Sequence, residues 1–179
     1  METVNFLRES SVNKICFLDI DGVLATRWSY KRVSSDIKNC KRRIPFDPLC
    51  VSMFNKFIEQ SGCKIVMSSS WRTGRYEVDS ETLKRENVLG EFLGSTPRLN
   101  KGRGDEIAMW LSENESSVSS FVILDDDVYD IKDIFPTRHV YLKLGMELGF
   151  EESHLNSALQ IINRELTAEE KNAYIPQKV

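Results

Sequence analysis

No apolar stretch in this chain approaches the ~20 residues that a membrane-spanning helix needs. The opening residues, Met1 to Ser11, are mixed and polar and lack the apolar centre of a signal peptide. Positive charge in excess is missing too. The net charge is −3, so no global basic field draws in a nucleic-acid backbone, although a local basic patch still could. Cysteine is sparse: Cys16, Cys40, Cys50 and Cys63 form no C-x-x-C pair and read as buried thiols, not as metal ligands or a disulfide framework. The two histidines, His139 and His154, have no acid or second histidine at ligand spacing and read as structural. Internal repeats, low-complexity segments and a second-domain boundary are all absent. What remains is the expectation of a soluble, cytoplasmic, single domain over residues 1–179. Its apolar content of 41% is ordinary globular usage and sufficient for a real core.

Short apolar runs alternate with helical patterns. Ile15–Leu18, Ile65–Met67, Phe92–Leu93, Phe121–Leu124 and Val140–Leu142 read as strands. Asp47-Pro48 opens a helix with an apolar face of Leu49, Met53, Phe54, Phe57 and Ile58, ended by Ser61-Gly62. A short helix is expected around Glu81–Asn87 and another over Gly104–Leu111, with Ile107, Trp110 and Leu111 inward. Glu151–Glu165 reads as a closing amphipathic helix, and 167–179 as a C-terminal tail with at most a short extra turn. This order predicts an α/β fold: a Rossmann-like, parallel five-stranded sheet with helices on both faces. Residues 25–46 stand apart. Arg27, Lys31, Arg32, Lys38, Lys41, Arg42 and Arg43 crowd a segment that also holds Trp28 and Tyr30, and it reads as a basic flap or long loop. It is either a solvated surface loop or a lid that meets an anionic substrate.

The ends of three strands carry the polar residues. The first ends in Asp19-Ile20-Asp21-Gly22, the second in Ser68-Ser69, the fourth in Asp125-Asp126-Asp127. In a parallel sheet these ends share one edge, where open α/β sheets place their ligands. Two carboxylates two residues apart repel, by about 4 kcal/mol at 4 Å with an effective dielectric near 20. A cation, a proton or special hydrogen bonds must relieve them. Gly22 lets the backbone turn there and approach a ligand closely.

Phe17 to Leu24, with the pair Asp19 and Asp21, resembles the first motif of the haloacid dehalogenase-like (HAD) phosphohydrolases. Ile65-Val66-Met67-Ser68 resembles the second motif, Lys101 or Arg103 ahead of a helix the third, and Ile123-Leu124-Asp125-Asp126, with Asp130 beyond, the fourth. The resemblance spans roughly residues 13–162. Ser69-Ser70-Trp71-Arg72, Thr96-Pro97-Arg98, Arg103-Gly104-Asp105-Glu106-Ile107 and Leu148-Gly149-Phe150 look like a small-capped branch of that superfamily. That branch includes the phosphatase domains of RNA-repair proteins. The resemblance implies a compact core with a minimal cap and a Mg²⁺-dependent phosphatase that forms an aspartyl-phosphate.

It also implies roles. Asp19 is the nucleophile and Asp21 the general acid/base, while Ser68 donates to a phosphate oxygen and Lys101 or Arg103 neutralises the transferring group. The metal ligands come from Asp19, the Ile20 carbonyl, Asp21, Asp125 and Asp126; an alternative alignment uses Asp130, and Asp127 reads as a solvated acid at a helix start. Gly22, Ser69 and Arg72 are the candidates to bind substrate, with a salt bridge as the other reading of Arg72. Trp71 and Trp28 read as core or rim packing, or as stacking partners for a base. The expected partner is a phosphorylated substrate, either a nucleotide or a nucleic-acid end, and no membrane. The alternatives are a small-molecule mononucleotidase and a catalytically silent module that binds metal or a partner.

Overall fold

The computed structural model describes residues 13–35, 45–73 and 77–174. Five strands, β1 (Asn13–Leu18), β2 (Lys64–Met67), β3 (Phe92–Ser95), β4 (Val118–Asp125) and β5 (His139–Tyr141), pair in the order β3-β2-β1-β4-β5. Every pairing is parallel. The chain works outward from β1 to β3 on one side, then returns to the other side of β1 for β4 and β5. The switch point of the sheet therefore lies between the carboxyl ends of β1 and β4.

Alternation along the strands divides the core in two. Cys16, Leu18, Ile65, Met67, Val122 and Leu124 meet Phe54 and Phe57 of α2 (Pro48–Ser61) and Leu155, Ala158 and Ile162 of α7 (Glu152–Ile162). Ile15, Phe17, Val66, Phe121 and Ile123 meet Ile107 and Leu111 of α4 (Arg103–Glu113) and Ile131 of α5 (Tyr129–Ile134). Helices cover both faces, which is why the strands read as unbroken apolar runs. The α2 start follows its sequence signal: the Asp47 carboxylate accepts from the Leu49 amide, and Gly62 closes the helix at φ 63°. Leu49 itself departs from expectation. It sits in the first turn, 80% exposed, and the buried face runs through Cys50, Val51, Phe54, Phe57 and Ile58.

Two segments expected to be irregular are helical. Arg27–Ser35 of the basic segment form α1. Thr26 caps it, its hydroxyl accepting from the Ser29 amide at 3.2 Å while donating to Asp47 at 2.9 Å. Ser29 in turn donates to the Pro45 carbonyl, so both ends of the flap are pinned to one buried polar cluster. Trp28 is 58% exposed, with the Arg32 guanidinium over its ring, and is not part of the core. Lys38, Lys41, Arg42 and Arg43 lie outside the described residues, as does Cys40.

The described part of the expected tail forms α8 (Ala168–Tyr174), with Tyr174 packed on Phe121 and Phe135, and 175–179 lie outside the described residues. Glu170 of α8 pairs at 2.6 Å with Arg138, which is 0% exposed. α3 (Ser80–Arg85) stands near the expected short helix, and α6 (Gly145–Leu148) is a further short one. No helix among the described residues is long and apolar enough to cross a membrane.

Candidate active site

Register assembles the site. Leu18 pairs with Met67 on one side and Leu124 on the other. The next row is therefore Ser68, Asp19 and Asp125, locked by Asp19 N–H to the Leu124 carbonyl at 3.0 Å and Ser68 N–H to the Leu18 carbonyl at 2.9 Å. Residues far apart along the chain become neighbours because three apolar runs stop in step.

Asp19, Asp125 and Asp126 each offer a carboxylate oxygen, and these oxygens lie within 4.8 Å of one another. Asp19 and Asp125 are buried. Burial pushes the Asp19 carboxyl up, against the opposing pull of Arg103, the Ser69 hydroxyl and the Ile20 amide. Burial and then the charge of Asp19 raise Asp125. Burial, with Asp19 and Asp21 nearby, lifts Asp126 to about 6. A guanidinium opposes this crowding. Arg103 Nη1 lies 2.5 Å from Asp125 Oδ2 and 3.2 Å from Asp19 Oδ2.

Of the two cations considered for that place, the structure puts Arg103 on the acids. Lys101 stands exposed on the loop before α4. Asp130 of α5 does not join the cluster of acids. Its Oδ2 accepts from the Gly104 amide at 2.7 Å and so caps the helix that begins with Arg103. A Cβ on Gly102 would stand 2.0 Å from the same oxygen, so the close approach requires glycine. Asp127 is exposed, and its amide donates to Asp125 Oδ1 at 2.8 Å.

The turn after β1 corrects one ligand. The Ile20 carbonyl, expected to face a metal, turns inward and accepts from the amides of Val23, Leu24 and Ala25 at 3.2, 2.9 and 2.9 Å. Among the described residues no donor reaches the Asp21 carbonyl. Gly22, at φ 69°, makes the turn. The Asp21 side chain is held at both oxygens: Tyr30 Oη donates to Oδ1 at 2.6 Å, and Trp71 Nε1 donates to Oδ2 at 2.9 Å.

Both serines after β2 stand at this edge, in different settings. Ser69, at the start of the 3₁₀ turn Ser70–Arg72, accepts from the Trp71 amide at 3.3 Å and lies near enough to Asp19 to pull its carboxyl down, whereas the Ser68 hydroxyl is buried with no partner among the described residues. Arg72 Nη2 lies 2.5 Å from Glu106 and Nη1 donates to the Ser69 carbonyl at 2.8 Å, while its Nε is buried with no partner among the described residues. Glu106 also accepts from the Leu99 amide at 2.9 Å, so this pair ties the turn after β2 to the loop before α4. Sequence reasoning passes over Tyr30, Glu106 and the donor role of Trp71. No spacing rule links a tyrosine in a basic flap to an acid nine residues earlier.

The sequence pattern of these same strand ends has relatives. A family model described as the HAD domain in Swiss Army Knife RNA repair proteins matches residues 15–155. The chain belongs to this HAD family. No curated protein and no solved structure matches it. The matched span runs from β1 into α7 and contains every side chain of the HAD site just described. It also contains Gly149, at φ 66°, where a Cβ would stand 2.3 Å from Cys50 Sγ. His154, on the last matched turn, caps α7 by accepting from the Glu151 amide, and His139 Nε2 lies 3.4 Å from the Asp125 carbonyl. Both histidines thus shape the HAD scaffold and stand apart from the acid cluster.

The donor set suits a hard divalent cation. Three carboxylate oxygens converge, two of the acids are buried, and the Arg103 guanidinium relieves only part of their mutual repulsion. Mg²⁺ prefers one or two carboxylates together with water and substrate oxygens, which this open cluster leaves room for.

Proposed function

We propose that the chain is a Mg²⁺-dependent phosphomonoesterase that works through an aspartyl-phosphate and acts on the phosphorylated end of a nucleotide or nucleic acid. The observation that carries this reading is the position of Asp19. It is buried at the switch point, faces Asp125 and Asp126, and is touched by Arg103.

Asp19 Oδ attacks phosphorus, and the bond from phosphorus to the leaving oxygen breaks. Asp21, protonated, gives its proton to that oxygen. Water then attacks the phosphoryl group on Asp19, Asp21 takes the water's proton, and inorganic phosphate leaves with Asp19 restored. Arg103 and the Ser69 hydroxyl bear on the negative oxygens as charge spreads in a loose transition state. Asp19, Asp125, Asp126 and the Asp21 carbonyl are the residues that would hold Mg²⁺, and the ion supplies charge neutralisation between carboxylate and phosphate. Arg72 and Glu106 act as a brace, and Lys101 stands outside the reacting group.

The family description supports a nucleic-acid end as substrate, because it places such HAD domains in RNA-repair proteins. The absence of any large insertion among the described residues supports an open site that admits a strand. The test is hydrolysis of p-nitrophenyl phosphate with and without Mg²⁺, followed by a panel of mononucleotides and oligonucleotides phosphorylated at the 5′ or 3′ end. We expect Mg²⁺-dependent turnover, lost in Asp19→Asn with the fold retained. Turnover confined to mononucleotides would assign the chain as a mononucleotidase. No turnover anywhere, with tight metal or partner binding, would make it a silent module.

A further inference from the structure

A cleft of about 650 Å³ opens beside the acid cluster, and the proposed reaction leaves it unused. One wall is the turn with Ser70 and Thr73. The other is the loop carrying Arg98 and Lys101. Arg103 lies in the lining, and its guanidinium touches Asp19 and Asp125. The cleft therefore borders the place where a terminal phosphate would be attacked. Its volume falls in the range, roughly 300–1,000 Å³, that takes a ligand far larger than one phosphate.

The charges around it are not equivalent. Arg72 is paired with Glu106, and Arg103 sits on Asp19 and Asp125, where it serves the reacting phosphate. Glu106 and Asp130, the acids deepest in this wall, are occupied by Arg72, the Leu99 amide and the Gly104 amide. Among the described residues Asp127 is the one exposed acid of the lining. Arg98 and Lys101 are both exposed, and among the described residues neither has a carboxylate within ion-pair distance. Arg98 Nη1 is steered across the opening by Thr73 Oγ1 at 3.2 Å. Among the described residues the lining holds no aromatic side chain. Proteins that hold single strands by their bases do so on aromatic platforms. This cleft offers cations and hydroxyls instead, the groups that meet phosphate and sugar.

We infer that the cleft between Ser70–Thr73 and Arg98–Lys101 binds the sugar–phosphate backbone adjoining the terminal phosphate of a nucleic-acid strand, with Arg98 and Lys101 on the next phosphate, and is indifferent to the bases. The inference rests on the phosphatase reading and adds to it a second phosphate site. A mononucleotide engages only Asp19 and its neighbours. A strand engages both places.

The experiment measures binding apart from turnover. Asp19→Asn protein is titrated, by fluorescence anisotropy, with a labelled ten-nucleotide single-stranded RNA carrying a terminal phosphate, in oligo-U, oligo-A and mixed sequence. A mononucleotide serves as competitor. We expect the strand to bind at least tenfold tighter than the mononucleotide, with the three sequences within threefold of one another. Adding Arg98→Gln or Lys101→Gln should weaken strand binding at least fivefold. Each loss should make the salt dependence of log Kd shallower by about 0.7, the value for one phosphate contact on a single strand. In the active protein, Arg98→Gln should cut kcat/KM for the RNA at least fivefold more than kcat/KM for p-nitrophenyl phosphate. Equal affinity for strand and mononucleotide, unchanged binding in both variants, or a strong base preference would each overturn the inference. Wild-type protein that turns over no phosphomonoester, p-nitrophenyl phosphate included, would instead overturn the phosphatase reading itself.

Discussion

Tyr30 Oη donates to Asp21 Oδ1 at 2.6 Å, the shorter of two hydrogen bonds that fix this carboxylate. The other comes from the Trp71 indole, which can only donate. Oδ2 must therefore remain an acceptor. A phenol can give or accept a hydrogen bond, so Tyr30 stays a partner of Oδ1 while Asp21 gains and loses the proton proposed for it. Burial, and then Asp21 itself, push the Tyr30 phenol up and keep it protonated. The helix α1, built from the basic flap, thus holds the side chain proposed to exchange protons with the leaving group.

Tyr30→Phe should lower kcat for p-nitrophenyl phosphate about tenfold with little change in KM. General acid–base catalysis as a whole is worth roughly 10²–10⁴, and Trp71 still orients Oδ2 in this variant. The double variant Tyr30→Phe/Trp71→Phe should lose at least a further tenfold. Unchanged kcat in the double variant would remove the clamp from the mechanism.

Gly22 tests the turn. At φ 69° a side chain is already strained by about 1–2 kcal/mol, and a Cβ would stand 2.1 Å from Asp126 Oδ2. Gly22→Ala should displace Asp126 and abolish metal-dependent activity. Gly62, at φ 63°, has nothing within 4 Å of where an alanine methyl would sit, so Gly62→Ala should cost only the backbone strain and leave activity intact. Urea denaturation and phosphatase rates on both variants check the contrast.

The difference between these glycines bears on what the chain makes legible. The sheet and its acid-bearing edge can be read, because buried parallel strands are unbroken apolar runs and Asp19, Ser68 and Asp125 follow their ends directly. Parallel register then aligns those ends with no further information. Finer geometry stays hidden. Ser68 and Ser69 are chemically identical in sequence, and only the backbone path after β2 leaves one hydroxyl buried without a partner among the described residues and the other accepting from the Trp71 amide. The Ile20 carbonyl departs from its expected role because the tight turn through Gly22 draws three amides onto it. α1 escapes the sequence pattern because its residues are polar and its cap, Thr26, is joined to Ser29 and Asp47 by tertiary contacts. Arg72 carries two readings, and the buried Glu106 settles its hydrogen bonds.

Mg²⁺ should stabilise the folded chain measurably. A ligand at a hundred times its Kd adds about 2.7 kcal/mol, and each kcal/mol raises Tm by roughly 2–4 °C at this size. Thermal unfolding in saturating Mg²⁺ should therefore shift upward by about 5–10 °C relative to a chelated sample. Asp126→Asn should lose most of that shift, since it removes one of the three converging acids. An equal shift in Asp126→Asn and the parent would place the ion elsewhere.

The last prediction concerns α8, far from the acid cluster. Arg138 has no exposure, and its charge is met by Glu170, whose carboxylate also takes Arg164, Thr137 and the Thr167 amide. Burial would raise the Glu170 carboxyl, but the hydrogen bonds from Arg164, Arg138 and Thr137 outweigh it and hold the group well below its ordinary value of 4.5. The folded chain thus binds that proton more weakly than the unfolded chain does. Its contribution to stability is complete above about pH 4.5 and declines as the pH falls below it. Glu170→Gln leaves Arg138 as a buried charge without a counter-ion, which costs about 3–5 kcal/mol. Urea midpoints measured from pH 7 down to pH 3 should show the variant much less stable at neutrality and the gap to the parent narrowing in acid. A gap that stays constant across that range would mean that Glu170 holds α8 by packing alone.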